Sequence, residues 1–369
     1  MTDAIAVPTS REQLWGLLAE AAEIEHHLMC CYLYAAFSLK EGTDEDLSDA
    51  ELAAVRRWRA EIFAVAIEEM GHLATVCNIL SSLGAPAHLD HQNFPVSAGY
   101  HPAGVVVKLT PFNPQTLAHF IYLERPGDAD VADGAGFEPA RHYVRDSQMD
   151  RLMTVTTEYR TVGRLYESIN LGLAGLAATL GESRLFAGDP AHQLGADVGG
   201  LPGLKVVRCL VTARAAIDAI VRQGEGAEAT EARSHYQRFL SIREEYDRLL
   251  VARPGFRPAR MSAHNPVMRR PPTPEGKLWI TEEPAASLLD LGNALYNHCL
   301  LPLARLRRRR RGDAARPRAR EHRPDAPAVA DRLQARHPAR QPGAAAGDRR
   351  PQLRDPPIRG GAAVRHRER

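Results

Sequence analysis

The chain has 369 residues, of which 44% are hydrophobic and 25% charged, so it can bury a sizeable core as one large or two ordinary domains. Its formal net charge of +2 hides an asymmetry, because residues 305–369 contain 20 arginines and 7 acidic residues. That segment carries +13 and the rest of the chain carries −11, so we expect an acidic folded body followed by a basic tail.

Neither membrane insertion nor secretion is expected. The first ten residues, MTDAIAVPTS, lack a basic region followed by an apolar run, and no apolar stretch approaches the ~18 residues of a membrane span. The cysteines are odd in number and form no C-x-x-C motif, which favours reduced thiols in a cytoplasmic protein over a disulfide framework. They are Cys30, Cys31, Cys77, Cys209 and Cys299.

The first long helix is predicted over residues 10–40. Ser10 and Gln13 match a capping box at its start, and apolar residues then recur at helical spacing. Glu25 falls on this apolar stripe in the middle of the helix, whereas Glu23 falls on the polar side. We therefore expect Glu25 to be a buried carboxylate.

The second long helix is predicted over residues 48–83. It carries Glu69 and His72, an E-x-x-H pair whose members share one helix face. Most such pairs are solvated, but Glu69 lies within the apolar stripe, and burying an ionised carboxylate without a partner is costly. Together with Glu25 on the preceding helix, the pair indicates half of a four-helix carboxylate metal site.

Residues 85–145 are predicted to be mostly irregular. His88, His91 and His101 lie in this stretch and could be metal ligands, although loop histidines are more often solvated. A short helix is predicted over residues 114–123, with a proline in its first turn. The Gly- and Asp-rich remainder should form a loop over one end of the bundle.

A third carboxylate is expected from a long helix predicted over residues 146–180. Glu158 lies on the apolar stripe of this helix, and Glu167 lies on a neighbouring face. Helical periodicity by itself favours Glu158 as the ligand.

Two further helices are predicted over residues 204–223 and 230–251. The first ends in QGEG, where Glu225 follows a helix C-terminus. The helix dipole disfavours an acid there, so either a compensating cation or a flexible acidic turn is expected. In the second helix His235 lies on the apolar face, where a histidine is usually a hydrogen-bonded core residue. It is also the histidine available to the fourth position of a bundle.

The character of the chain changes after a last helix, predicted over residues 284–306 with Leu288, Leu291 and Leu295 facing the core. We therefore divide the chain into a bundle domain, 1–306, and a tail, 307–369, rich in Arg, Pro and Ala. The few apolar side chains of the tail cannot offset the free-energy cost of ordering it, so it should be disordered.

The basic tail admits two interpretations. Nucleic-acid binding would suit its charge, but the tail lacks interleaved aromatic residues and any recognisable binding module. Its composition, without a lysine after Lys277, instead favours a GC-rich gene read in the wrong frame. Nucleic acid is therefore not an expected partner.

Five stretches together resemble one family, the ferritin-like family named after iminophenyl-pyruvate dimer synthase, which occurs in bacterial indole-alkaloid pathways. The resemblance covers most of the bundle domain. It implies an all-α fold, a ferritin-like four-helix bundle with long loop insertions and an additional C-terminal helix. The stretches are EIEHHLMCCYLYAAFSLK (23–40), EEMGHLATVCNILSSLGAP (68–86), TVGRLYESI (161–169), QGEG (223–226) and SHYQRFLSI (234–242).

The resemblance also implies a set of metal ligands, and it favours Glu167 over Glu158. A regular bundle would carry E-x-x-H in its fourth helix, but the residue three before His235 is Ala232. Glu231, four before His235, could substitute, so a second metal ion could be weakly held or absent. We expect one or two iron ions, with manganese as the alternative. The family pattern matches Glu25, His26, Glu69, His72, Glu167, Glu225 and His235.

A metal-dependent oxidase or oxygenase is the activity that these features favour. Such a non-haem iron oxidoreductase would use O2 on a small organic substrate of secondary metabolism, with amino-acid derivatives among the candidates. One alternative is a coupling enzyme similar to iminophenyl-pyruvate dimer synthase. Another is a non-catalytic ferritin-like metal-binding or storage protein, although the long insertions argue against a storage cage. Assembly into a homo-oligomer is left open.

Overall fold

The computed structural model describes residues 5, 7–96, 106–127, 129–138, 159, 161–195, 201, 204–224, 234–272 and 276–300, together with the helix backbone of 301–313. All of them belong to the first of two units, residues 1–317. The second unit, 318–369, lies outside the described residues, so the predicted disorder of the tail and its reading-frame origin stay predictions.

The regular secondary structure of the described residues is helical apart from one two-residue parallel strand pair and two isolated β-bridges. The predicted all-α class is therefore confirmed, as a helical bundle with long loop insertions and an additional C-terminal helix. The elements are α1 (Arg11–Ser38), α2 (Asp49–Ser82), α3 (Pro114–Leu123), α4 (Val162–Leu180), α5 (Glu182–Leu185), α6 (Leu210–Gln223), α7 (His235–Ala252), β1 (Pro266–Val267), β2 (Leu278–Trp279) and α8 (Ala285–Asp313).

Local signals set the ends of the two longest helices. The Ser10 hydroxyl accepts a hydrogen bond from the backbone N–H of Gln13 at the start of α1, and Ser48 caps α2 through Glu51 in the same way. Gly84, with φ of 84°, follows α2 in the left-handed conformation that glycine adopts without strain. The sequence-predicted bounds of both helices therefore agree with the structure to within a few residues.

Helices α1 and α2 form the antiparallel pair at the centre of the bundle. The ring of Phe37 contacts that of Phe63, with centroids 5.2 Å apart, while Glu25 approaches His72 further along. The contacts advance in opposite directions along the two helices, which defines the antiparallel arrangement. The central residues of both helices therefore lie at the same level of the core.

The other helices pack around this pair. Helix α4 contacts α1, α6 contacts α2 and α4, and α7 contacts α2 and α3. Helix α3 is held by Phe120, whose ring centroid lies 4.7 Å from that of Tyr32 on α1 and 5.4 Å from that of Phe239 on α7. This aromatic contact directs the C-terminal end of α3 towards the middle of α1 and α2.

Helix α8 differs from its prediction. Leu288, Leu291 and Leu295 were expected to face the core, yet they are 63%, 55% and 55% exposed. The helix contacts α1 instead through Tyr296, whose hydroxyl hydrogen-bonds to His26 Nε2. Its backbone also continues past residue 306, the predicted domain boundary, as far as Asp313.

By length and composition, α2 could cross a membrane, the single such helix in the part of the chain that is described. The expectation that no stretch approaches that length is therefore wrong for α2. Of its apolar window, 67% is buried inside the bundle, as in the core helix of a globular protein.

Candidate metal centre

Four elements bring five ionisable side chains together in the core. Helix α1 contributes a glutamate, α2 contributes the E-x-x-H pair, the residue directly after α3 contributes a glutamate, and the first residue of α7 contributes a histidine. None of the five is more than 4% exposed. They are Glu25, Glu69, His72, Glu124 and His235.

Glu25, Glu69 and His72 form the first group of potential ligands, with one donor atom of each lying within 4.8 Å of the others. His72 Nδ1 lies 2.9 Å from Glu69 Oε2 and 3.3 Å from Glu25 Oε2. Two carboxylates and an imidazole nitrogen thus surround one small space. We call this group the His72 half of the site.

Glu69, Glu124 and His235 form the second group under the same distance limit. His235 Nδ1 lies 2.9 Å from Glu69 Oε1 and 3.5 Å from Glu124 Oε2. We call this group the His235 half. Glu69 belongs to both halves and directs one oxygen to each, which is the arrangement of a carboxylate that bridges two metal ions.

Unsatisfied polar atoms show that the cluster suits a cation. Glu25 Oε2, Glu69 Oε1, Glu124 Oε2 and His235 Nδ1 are buried and make no well-aligned hydrogen bond, although each lies within 3.5 Å of another atom of the cluster. A buried carboxylate oxygen or imidazole nitrogen without a partner is costly, and such atoms are rare in folded proteins. A cation between them would satisfy all four at once, so the residues present fit a metal ion.

Two buried tyrosines orient the terminal carboxylates. The Tyr166 hydroxyl donates a hydrogen bond to Glu25 Oε1, and the Tyr32 hydroxyl donates one to Glu124 Oε1. Each glutamate therefore has one oxygen held from outside the cluster, while its other oxygen faces the centre. This outer support is the same in both halves.

Outer partners also set the tautomers of the two histidines. His72 Nε2 lies 3.1 Å from Gln223 Oε1, and His235 Nε2 lies 2.8 Å from Glu68 Oε2. Both partner oxygens accept hydrogen bonds, so each Nε2 carries a proton and each Nδ1 faces the cluster, where the neutral form of the imidazole would bind a metal ion. Glu68 also accepts a hydrogen bond from Arg238 Nη1 at 2.5 Å.

Without a metal ion, burial and charge repulsion in the cluster disfavour the simultaneous ionisation of its three carboxyl groups. Burial, followed by repulsion from Glu69, raises the pKa of Glu25 to about 8, and burial also raises the pKa of Glu124. Burial disfavours ionisation of Glu69 too, but His235 and His72 outweigh it and hold its pKa well below the usual range. A divalent cation would stabilise the ionised forms of Glu25 and Glu124, which burial otherwise disfavours.

The structure brings together four of the residues singled out from the sequence, namely Glu25, Glu69, His72 and His235. It does not bring Glu167 to them. The Glu167 side chain is 47% exposed and pairs with Arg164 at 2.6 Å. Its neighbour Tyr166 faces the core instead, and consecutive helical residues point about 100° apart.

Other expected ligands lie elsewhere. His26 is buried, but its ring contacts Tyr296 and His91 instead of the cluster. His91 and His88 also lie apart from it, with His88 Nε2 2.7 Å from Glu23 Oε1. The remaining candidates, Glu158, Glu225, Glu231 and His101, lie outside the described residues.

Glu124 is the site residue that sequence reasoning missed. Its signal was present, because it directly follows the predicted helix 114–123, at a C-terminal end where the dipole disfavours an acid. Glu124 is fully buried, so it supplies the third carboxylate that had been expected from α4.

The fold and the cluster define a helical-bundle protein with a buried carboxylate–histidine centre. Comparison with known families agrees, because the ferritin-like family model matches residues 18–244. The chain belongs to the ferritin-like family, and the resemblance stated from the sequence is confirmed.

Two curated relatives are similar to this chain. Dichlorochromopyrrolate synthase from Lentzea aerocolonigenes is 27% identical over 78% of this chain and 30% of its own length. The 2-imino-3-(indol-3-yl)propanoate dimerase from Chromobacterium violaceum is 27% identical over 83% of this chain and 31% of its own length. Both relatives are named as enzymes, and this chain spans about a third of the length of each.

A solved structure also resembles the chain. A ferritin-like protein from Caulobacter vibrioides superposes with a TM-score of 0.40 at 20% identity, covering 64% of this chain and 74% of the other.

Proposed function

We propose that this chain is a metal-dependent enzyme of secondary metabolism that oxidises or oxidatively couples a small amino-acid-derived substrate. The observation that carries the proposal is Glu69, whose two oxygens face two separate groups of buried ligands. One relative is named as a synthase and the other as a dimerase of an imine that carries an indole ring. These names support a coupling reaction on an imino acid. Storage has no comparable support.

Iron is the metal that we propose for this site, with manganese as the alternative. The donor atoms are carboxylate oxygens and imidazole nitrogens, without a thiolate, and such a set suits these ions better than a soft metal. Paired iron or manganese ions in a helical bundle use similar Glu and Glu-x-x-His ligands. Bound iron would supply electron-transfer and O2 chemistry that protein side chains lack.

The residues of the chain have distinct tasks in this proposal. Glu69 would bind both ions, and Glu25 and Glu124 would each bind one of them. Tyr32 and Tyr166 keep those two carboxylates in a single orientation. The near-complete burial of the cluster excludes bulk water, which protects a reactive substrate from hydrolysis.

We also propose a cellular setting on the basis of the thiols. All five cysteines are free in the structure, which supports the proposal of a reducing, cytoplasmic location. O2 and a small organic substrate are the proposed partners of the site.

The proposal is tested by comparing Glu69→Gln with Glu167→Gln, since one residue bridges both halves and the other is a solvated glutamate on α4. The purified full chain is loaded anaerobically with Fe(II), and bound iron is measured. We expect about two ions per chain in the wild type and in Glu167→Gln, and a loss of most bound iron in Glu69→Gln.

Activity is measured on the same proteins with 2-imino-3-(indol-3-yl)propanoate, formed in situ, as the probe substrate. Dimer formation and O2 uptake are followed by mass spectrometry and an oxygen electrode. We expect both signals in the wild type and Glu167→Gln only. Equal iron content in the two variants, or full activity without iron, would exclude the proposed site.

A further inference from the structure

A cavity opens beside the His72 half of the site. It measures about 130 Å³ and lies between α2 and α6. His72 and Gln223 line it together, so it reaches the outer face of a proposed ligand. Among the described residues that line it, neither Glu124 nor His235 occurs. The cavity therefore belongs to one half of the site.

Small side chains create this space. On α6 the lining residues include Ala215, Ala216 and Ala219, and on α2 they include Gly71 and Thr75. Ala215 and Ala219 are exposed, so the cavity is a pocket that opens to solvent on the α6 side. A cavity of ~150 Å³ can hold benzene, so this one has room for one small planar group.

A positive charge stands at the edge of the cavity. Lys205, in the segment before α6, lines it and is exposed to solvent. Glu68 also lines it, but this carboxylate is already engaged by Arg238 and by His235. The ammonium of Lys205 is therefore available to an anionic ligand that enters from outside.

We propose that this cavity binds one molecule of a small aromatic 2-imino or 2-oxo acid, with Lys205 pairing with its carboxylate. The inference rests on the proposed function, since one relative acts on a propanoate that carries an indole ring. The ammonium supplies a charge-assisted hydrogen bond, and the alanine-lined wall admits part of the ring towards His72.

Two chemically stable probes test separately whether the charge of the ligand and the fit of its ring determine binding to the cavity. Indole-3-propionate and its uncharged amide are titrated calorimetrically into the full-length wild-type chain and into Lys205→Met, Arg208→Met and Ala219→Trp. Arg208 is the matched control, because it is an exposed cation three residues away that does not line the cavity.

The carboxylate should bind about fivefold more weakly to Lys205→Met, as expected for one partly solvated ion pair. The amide should bind both proteins equally, and Arg208→Met should match the wild type. Ala219→Trp should weaken both probes more than tenfold by filling the cavity. Equal losses in the two cation variants, a loss for the amide, or no measurable binding to the wild type would overturn the inference.

These titrations are independent of turnover and of iron loading. If the probes depend on Lys205 while Glu69→Gln retains iron and activity, the binding cavity stands and the proposed metal centre falls. If Glu69→Gln behaves as proposed but Lys205→Met binds like the wild type, the substrate reaches the centre by another route.

Discussion

The two halves of the cluster contain the same kinds of inner ligand and differ in their surroundings. Each half has one terminal glutamate held by a tyrosine and one histidine that presents Nδ1, and Glu69 is common to both. Outside this shell, His72 meets the neutral amide of Gln223 beside the cavity. His235 meets the carboxylate of Glu68, which Arg238 also contacts.

This difference gives the two halves different roles, one in retaining a metal ion and the other in facing the substrate. Burial disfavours ionisation of Glu68, but His235 and Arg238 outweigh it and lower its pKa, so Glu68 is an anion at neutral pH. A carboxylate on Nε2–H makes an imidazole a stronger ligand than an amide does, because it stabilises positive charge on the ring. We therefore expect the His235 half to hold its ion more tightly, and the His72 half to be the exchangeable side that faces the substrate.

Among the tests of this comparison, removal of each histidine in turn should have the largest effect on Mn(II) binding. Mn(II) is titrated anaerobically into the chain, and the free ion is followed by electron paramagnetic resonance. His235→Ala should lose the tighter of two binding classes, whereas His72→Ala should lose the weaker class and retain the tighter one. The opposite assignment, or identical isotherms for the two variants, would contradict the proposed inequality.

A smaller effect is expected from the outer carboxylate. Glu68→Gln should weaken the tighter Mn(II) class by ~10- to 100-fold, the usual range for such an outer partner. Glu61→Gln is the matched control, because Glu61 also pairs with Arg238 and has no contact with His235 among the described ion pairs. The affinity of Glu61→Gln for Mn(II) should remain within about twofold of that of the wild type. Equal losses in the two variants would assign the effect to Arg238 instead.

The smallest effect should come from the tyrosines, where the two halves are alike. Tyr32→Phe and Tyr166→Phe each remove the hydrogen bond to one terminal carboxylate. Each should lower the free energy of unfolding of the metal-free chain by about 1 kcal/mol, measured by urea denaturation. Tyr122→Phe, whose ring packs on Arg125, is the control and should change little. A large difference between the first two variants would show that the symmetry is only apparent.

Much of the bundle could be predicted because its signals are local. Capping residues mark where α1 and α2 begin, and apolar spacing defines which face of each helix is buried. Glu25 and Glu69 lie on those faces, so their burial followed from their positions alone. His235 could be placed on an apolar face by the same argument, although its role could not.

The third carboxylate could not be predicted in that way. Periodicity favours Glu158 and the family resemblance favours Glu167, yet Glu167 is solvated and Glu158 lies outside the described residues. Glu124 reaches the cluster because Phe120 packs between Tyr32 and Phe239 and sets the direction of α3. Periodicity within one helix carries no information about that packing.

The sequence by itself therefore determined the two central helices, α1 and α2, with their buried faces and the residues on those faces, since each depends on neighbours only a few positions away. The tertiary structure alone decided that Glu124 joins Glu69, that the two histidines have unlike outer partners, and that Leu288 on α8 stays exposed. These features depend on contacts between residues far apart in the chain, whose geometry is set by the packing of whole helices.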